Sequence, residues 1–288
     1  MLQFVLGYGH SEFTRVCIES IYNHTPAREI KLVVWENFSP DPLSEQDIDR
    51  SNTILLNMDR NYGCSTALNS MMKDFGLGLR QDVFYISNDH VVFPGWSDPL
   101  LENKEALDVV SPMHPFGLPH LHERLASAID LKDSSKREYL DHPESRSRIK
   151  EFLHLIYGSD LERFVHEQVM AIPELVPSEE FWAGCFFLRK EILGQVSTFR
   201  TDRGLAADED ALWFYENVPG KLRHGVYGRC YVHHFQCITT NRTNLTMDHA
   251  PNVFSAAPVP PLTGYARNLI AEGLSRLQRR CSLTPKTT

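Results

Sequence analysis

The chain has 288 residues, enough to bury a sizeable core as one large domain with a modest appendage. A hydrophobic share of 42% against 23% charged residues excludes a disordered chain, and no run approaches the ~20 apolar residues that a membrane span needs. The net charge of −8 excludes a general nucleic-acid binder, because phosphate binding needs clustered cations. The charge is uneven. Residues 265–288 hold Arg267, Arg276, Arg279, Arg280 and Lys286 against Glu272, a net +4, which leaves −12 on the other 264 residues.

The six cysteines at 17, 64, 185, 230, 237 and 281 form no C-x-x-C pair, so reduced thiols are expected. The start MLQFVLGYGH has no basic n-region, so no signal peptide is expected and the predicted location is cytoplasmic. On that view the N-x-S/T patterns at Asn23, Asn37, Asn241 and Asn244 are chance matches.

In chain order, Gln3–Tyr8 is a predicted strand, and Ser11 can cap a helix with Phe13, Val16, Cys17 and Ile21 on one face. Pro26 ends that helix, and Lys31–Trp35 and Thr53–Asn57 are the next strands. A helix from about Ser65 to Phe75 precedes a fourth strand, Val83–Ser87. Apolar strands alternating with helices predict βαβ units and a mostly parallel sheet. Ligands bind such sheets at the carboxyl ends of the strands, where Tyr8-Gly9-His10, Glu36-Asn37, Asn57-Met58-Asp59 and Asn88-Asp89-His90 fall. The G-Y-G-H segment is not G-x-G-x-x-G, since position 12 is Glu12, so a dinucleotide-dependent dehydrogenase is excluded.

Further on, His114, His120 and His122 lie among prolines without Cys or Glu in zinc spacing, and are expected to be loop histidines near a ligand cleft. Ile149–Met170 is predicted helical, with Phe152, Leu155, Ile156, Leu161, Phe164 and Val165 on an apolar face. Trp182 either stacks on a bound ligand or fills the core. Asp208, Glu209 and Asp210 open a helix over Ala211–Asn217, where the helix dipole keeps carboxylates ionised. Residues 251–264 hold four prolines and read as a linker. Tyr265–Arg280 then fits a basic amphipathic helix with Leu269, Ile270, Leu274 and Leu277. Three fates are open to it: peripheral contact with an anionic membrane surface, dimerisation, or packing back on the body.

Residues 86–96, I-S-N-D-H-V-V-F-P-G-W, resemble the metal-binding strand end of family 2 glycosyltransferases, which have the GT-A fold. Other segments match in the right order: W-E-N-F-S-P-D (35–41), N-Y-G-C-S-T-A-L-N (61–69), G-C-F-F-L-R-K-E-I-L (184–193), A-D-E-D-A-L-W (207–213) and Y-V-H-H (231–234). The resemblance covers residues 1 to about 240 and implies a three-layer α/β sandwich around a mostly parallel central sheet. It divides the chain into a domain over 1–250 (donor half 1–100, acceptor half 101–250 with a helical insertion at 114–180), the linker at 251–264 and the basic tail at 265–288.

The activity it implies is inverting transfer of a sugar from a nucleotide-diphosphate donor, UDP- or dTDP-linked, to a hydroxyl of a carbohydrate, lipid-linked or small-molecule acceptor. A divalent cation, Mn²⁺ or Mg²⁺, would carry the charge of the leaving diphosphate. By position Asp89 matches the last acid of the family's DxD, with Ser87 replacing the first, and His233 matches the late-strand ligand, with His234 as the register alternative. The base that deprotonates the acceptor is Asp210, with Asp208 second and Glu209 its partner in the family's E-D pair. Glu36 takes the place of the acid that contacts the nucleobase. Gly7, Tyr8, Arg60, Asn61, Gly63 and Asn88 line the donor pocket, and Arg242, in T-T-N-R-T-N-L-T, is a cation for the diphosphate. Two rivals stand beside this: a catalytically idle nucleotide- or carbohydrate-binding module, favoured by Ser87, and a nucleotidyltransferase, which would need a Gly- and Lys/Arg-rich loop after the first strand.

Overall fold

A computed structural model describes residues 1–9, 11–39, 41–49, 51–102, 106–114, 145–171, 181, 184–202, 209–235 and 259–283. Eight strands form the sheet: β1 (Leu2–Gly7), β2 (Leu32–Glu36), β3 (Thr53–Asn57), β4 (Val83–Ser87), β5 (His90–Val92), β6 (Val109–Met113), β7 (Cys185–Leu188) and β8 (His224–His234). Their order is β3-β2-β1-β4-β7-β6-β8-β5. The pairs β1/β2, β1/β4, β2/β3 and β6/β8 are parallel, whereas β7 runs antiparallel to β4 and β6, and β5 antiparallel to β8. The parallel half is where the sequence placed it, each strand within about one residue of its predicted bounds.

Successive strand residues point to opposite faces, so each apolar strand feeds two layers. On one face Phe4, Leu6, Val33, Trp35, Ile54 and Leu56 pack beneath α2 (Gly63–Ser70), its π-helical continuation Met71–Leu77, and the C-terminal helix α7 (Gly264–Leu283). On the other, Val5, Leu32, Val34, Phe84 and Ile86 meet Cys17, Ile18 and Ile21 of α1 (Ser11–His24). This is the expected three-layer α/β sandwich. The remaining apolar residues of α1, Phe13 and Val16, join a third cluster with Ile149, Phe152 and Ile156 of α4 (Ser145–Tyr157). Between β5 and β6 lies the short α3 (Asp98–Glu102).

The helix predicted over Ile149–Met170 is two pieces. It breaks at Gly158, whose φ of +79° is left-handed, and resumes as α5 (Leu161–Phe164), capped by the Asp160 side chain, and a π turn at Val165–Val169. The periodicity ran through the break because Gly158 costs a helical pattern only one position. Before β8, α6 (Glu209–Asn217) is held by Asn217, whose Oδ1 accepts from the Ser197 amide, and by Trp213, whose indole donates to the Ser197 carbonyl.

The C-terminal helix packs back on the body. Ala266, Ile270 and Leu277 are buried against the β3 face, with Leu269 and Leu274 packed alongside. Thr263 caps its N-terminus and ties it to the loop after β3: its hydroxyl accepts from the Ala266 amide, bonds Tyr62 Oη at 2.9 Å and donates to Asp59 Oδ2 at 3.1 Å. Among the described residues no helix is long and apolar enough to cross a membrane.

Gly273 marks the closest approach of this helix to the sheet. A Cβ there would stand 2.9 Å from Ile54 Cγ2 and 3.1 Å from Leu56 Cδ2. Gly273→Val is therefore expected to destabilise the protein by about 1–3 kcal/mol through overpacking. Thermal denaturation should register a fall in Tm, while Gly264→Ala, with nothing within 4 Å, leaves it near wild type.

Candidate active site

The carboxyl ends of β1, β2 and β3 are stitched into one platform. The Asn37 amide donates to the Gly7 carbonyl and the Met58 amide to the Glu36 carbonyl. The Asn37 side chain donates to Asn61 Oδ1 at 2.7 Å and accepts from the Tyr62 amide, while Asn61 Oδ1 also accepts from the Gly63 amide. Asn61 and Gly63 (φ +75°) are thus committed to holding the loop that follows β3. Asn88 is spent similarly, its amide nitrogen donating to the Gly9 carbonyl and to Thr14 Oγ1. Arg60 is exposed, 3.9 Å from Asp59 Oδ2. Burial pushes the Tyr8 phenol pKa up, opposed by its contact with Asn61.

Glu36 ends β2 fully buried. The Gly9 amide donates to Ser39 Oγ, which in turn donates to Glu36 Oε1, so that oxygen is committed. Oε2 is buried and has no hydrogen-bond partner among the described residues. A Cβ on Gly7 would come within 2.9 Å of Oε2, so only glycine leaves this acid its room. Phe38, between Asn37 and Ser39, is 47% exposed and held at φ +66°, a costly backbone for a bulky side chain. Burial pushes the Glu36 carboxyl up to about 7, against the hydrogen bond from Ser39 and the charge of Arg15.

The second half of the site is the turn from β4 to β5. Because β5 pairs antiparallel with β8, His90 lies directly opposite His234, and the Phe235 amide donates to the Asp89 carbonyl. Asp89, His90 and His234 are all buried, and one ligand atom from each lies within 4.8 Å of the others. His234 Nε2 donates to Asp89 Oδ2 at 3.1 Å, and Ser87 Oγ donates to Asp89 Oδ1 at 2.6 Å. The two imidazoles stack at 4.2 Å between centroids. Burial opposes ionisation of Asp89, yet His234 and His90 outweigh it and hold the carboxyl well below its usual range. A buried carboxylate with two imidazoles suits a divalent cation, and the nitrogen donors suit Mn²⁺ better than Mg²⁺.

His233 is the register neighbour. Strand alternation turns it to the opposite face with Val91, where its Nδ1 meets Tyr157 Oη at 2.7 Å and Tyr157 meets Tyr231 at 3.0 Å. It therefore stands away from Asp89, and the histidine brought to the acid from β8 is His234. His114, just past β6, is held down to about 4 by burial and by His234 and His90. Asn69 brackets Phe199, donating to its carbonyl and accepting from its amide, a structural role. Glu209 and Asp210 occupy the first positions of α6, but their side chains, together with Asp208, Arg242, His120, His122 and Trp182, lie outside the described residues. Sequence reasoning placed His90 at a strand end and Ser39 within the W-E-N-F-S-P-D segment but gave neither a role in the site; the adjacent Asp-His pair was a usable signal for the first, and the position of the serine in that segment for the second.

No protein-family model matches the chain, and no curated protein sequence does. Solved structures do. S. aureus TarS aligns with a TM-score of 0.50 at 12% identity, covering 81% of this chain and 60% of that one. GalNAc-T7, solved with UDP, GalNAc and Mn²⁺, aligns with a TM-score of 0.50 at 11% identity, covering 88% of this chain and 47% of that one. The chain thus spans roughly half to three fifths of the length of these structures, and at such identity the likeness shows the fold alone: an α/β sandwich of the GT-A type.

A carboxyl whose pKa is raised by folding stabilises the native state below its unfolded value and loses that contribution as pH rises through the folded one. For Glu36 the window runs from the ordinary 4.5 up to about 7. Stability should fall across that window by up to about 3 kcal/mol from this group. Glu36→Gln, which cannot ionise, is expected to flatten the slope in denaturant titrations at successive pH values.

Proposed function

We propose that the protein transfers a sugar from a nucleotide-diphosphate donor to an acceptor hydroxyl with inversion at the anomeric carbon. The observation that carries this reading is the buried Asp89–His90–His234 group at the carboxyl end of β4, two strands along the sheet from the buried Glu36 at the end of β2. The GalNAc-T7 structure, of the same fold type, contains UDP, GalNAc and Mn²⁺, which favours the same class of ligands here.

Asp89 and His234, with His90 beside them, would hold a divalent cation, which when bound supplies Lewis-acid stabilisation of the departing diphosphate. Glu36 Oε2, shielded between Gly7 and the Ser39 bond, would accept one N–H from the nucleobase, which suits the single ring N–H of uracil or thymine. Gly7, Tyr8, Asn61 and Gly63 shape the pocket floor, Asn88 holds the β4 end in place, and Arg60 and Arg242 are the cations for the phosphates. At the start of α6, Asp210 takes the acceptor proton, with Asp208 as the alternative and Glu209 beside them. A single displacement at the anomeric carbon inverts it, and no covalent sugar intermediate is needed.

Asp210→Asn should lower transfer at least about 100-fold while UDP binding by calorimetry is retained. In the same calorimetry UDP affinity should drop on chelation of the metal, and that drop should vanish in Asp89→Ala. Wild-type protein that binds UDP with Mn²⁺ yet turns over no donor would establish the idle binding module instead.

A further inference from the structure

Residues 251–264 read in the sequence as a linker, yet Thr263 meets Tyr62, 201 positions away in the chain. The contacts form a closed set. Asp59 accepts from the Tyr62 hydroxyl at Oδ1, at 2.7 Å, and from the Thr263 hydroxyl at Oδ2, at 3.1 Å. Tyr62 Oη accepts in turn from the Thr263 amide at 3.2 Å. Burial opposes ionisation of Asp59, but the bonds from Tyr62 and Thr263 hold its carboxyl below the usual range, so it accepts on both oxygens at neutral pH. Two residues further on, Tyr265 Oη donates to the Asn57 carbonyl at 3.4 Å. The start of α7 therefore grips the loop after β3 at both ends, at Asn57 and at Tyr62.

What it grips leads to the candidate site. The Tyr62 amide donates to Asn37 Oδ1, the Asn37 side chain donates to Asn61 Oδ1, and Asn37 directly follows Glu36. Arg60, exposed, lies between the two gripped ends. The grip also has a rigid base, since Ala266 and Ile270 are buried against the sheet and Gly273 closely approaches Ile54 and Leu56 of β3. A binding loop keeps its shape only where a rigid element holds it. We propose that Thr263 is a positioning residue for the nucleotide diphosphate: through Asp59 and Tyr62 it holds Arg60 and Asn61 in the arrangement that receives the donor. The inference rests on the transferase reading and adds to its donor site a part of the chain outside the family resemblance. Without the Thr263 hydroxyl, Asp59 and Tyr62 exchange a fixed partner for water. The loop then samples more shapes, and apparent affinity falls with the fraction in the competent one. Asp89 and Asp210 lie on other elements, so the loss falls on KM and spares kcat.

The test uses the full chain, with UDP and Mn²⁺ as the probe, well below the Tm of every variant. Thr263→Val keeps the branched side chain and removes the hydroxyl; calorimetry should give UDP binding about 10-fold weaker. Thr263→Ser, which restores the hydroxyl, should bind within about twofold of wild type. In donor turnover Thr263→Val should raise KM for the UDP-sugar by about 10-fold and leave kcat within about twofold. Leu277→Ala separates positioning from helix stability, because Leu277 is buried about 20 Å along the same helix. That variant should lose Tm and keep the wild-type affinity for UDP. Wild-type UDP binding in Thr263→Val, or a loss in Leu277→Ala as large as in Thr263→Val, would overturn the inference and leave the transferase reading standing. Wild-type protein that binds no UDP would sink the donor reading, and this inference with it.

Discussion

A carboxylate placed at 2% exposure sets the terms for one whole side of this molecule. Asp89 cannot be charged there unless partners replace the water it has lost, and breaking a buried pair of this kind costs about 3–5 kcal/mol. Its partners come from three elements: Ser87 from the end of β4, His90 from the start of β5, and His234 from the end of β8. The antiparallel β5/β8 pairing exists at the register that sets His90 opposite His234, and the Phe235 amide closes it on the Asp89 carbonyl. One acid thereby fixes which strand ends meet.

Glu36 poses the opposite problem at the carboxyl end of β2, two strands away from β4 in the same sheet. It too is buried at a strand end, but the Ser39 hydroxyl and the charge of Arg15 do not offset its burial, so its carboxyl is pushed up to about 7 while Asp89 is held down. Two acids of similar chemistry are separated by what surrounds them, the ordinary way a site assigns unlike roles to like groups. Gly7 matters for the same reason, since any side chain there would occupy the space that Oε2 needs.

The C-terminal helix braces the β3 side of the sheet and the loop after β3. Its apolar stripe lies on the β3 face, and its Thr263 cap shares Asp59 and Tyr62 with the loop that continues into Asn61 and Gly63. The basic residues counted at the outset as a separate tail are therefore, over 264–283, part of the sandwich that carries the candidate donor platform.

Much of the fold was legible in the sequence, because parallel strands buried on both faces write uninterrupted apolar runs such as LVVW and VFYI, bounded by the polar residues that ligands meet. Asp89 and the Glu36 position were legible for the same reason: acids at strand ends stand out against such runs. What only the tertiary structure decided depends on register and on distant partners. Strand alternation chose His234 over His233, a one-residue difference that flips a side chain to the opposite face. Pairing of β5 with β8 brought in His90, 144 residues away from its partner His234. The break at Gly158 and the docking of the basic helix were likewise settled by packing, since an amphipathic stripe specifies an apolar face and leaves open what will cover it.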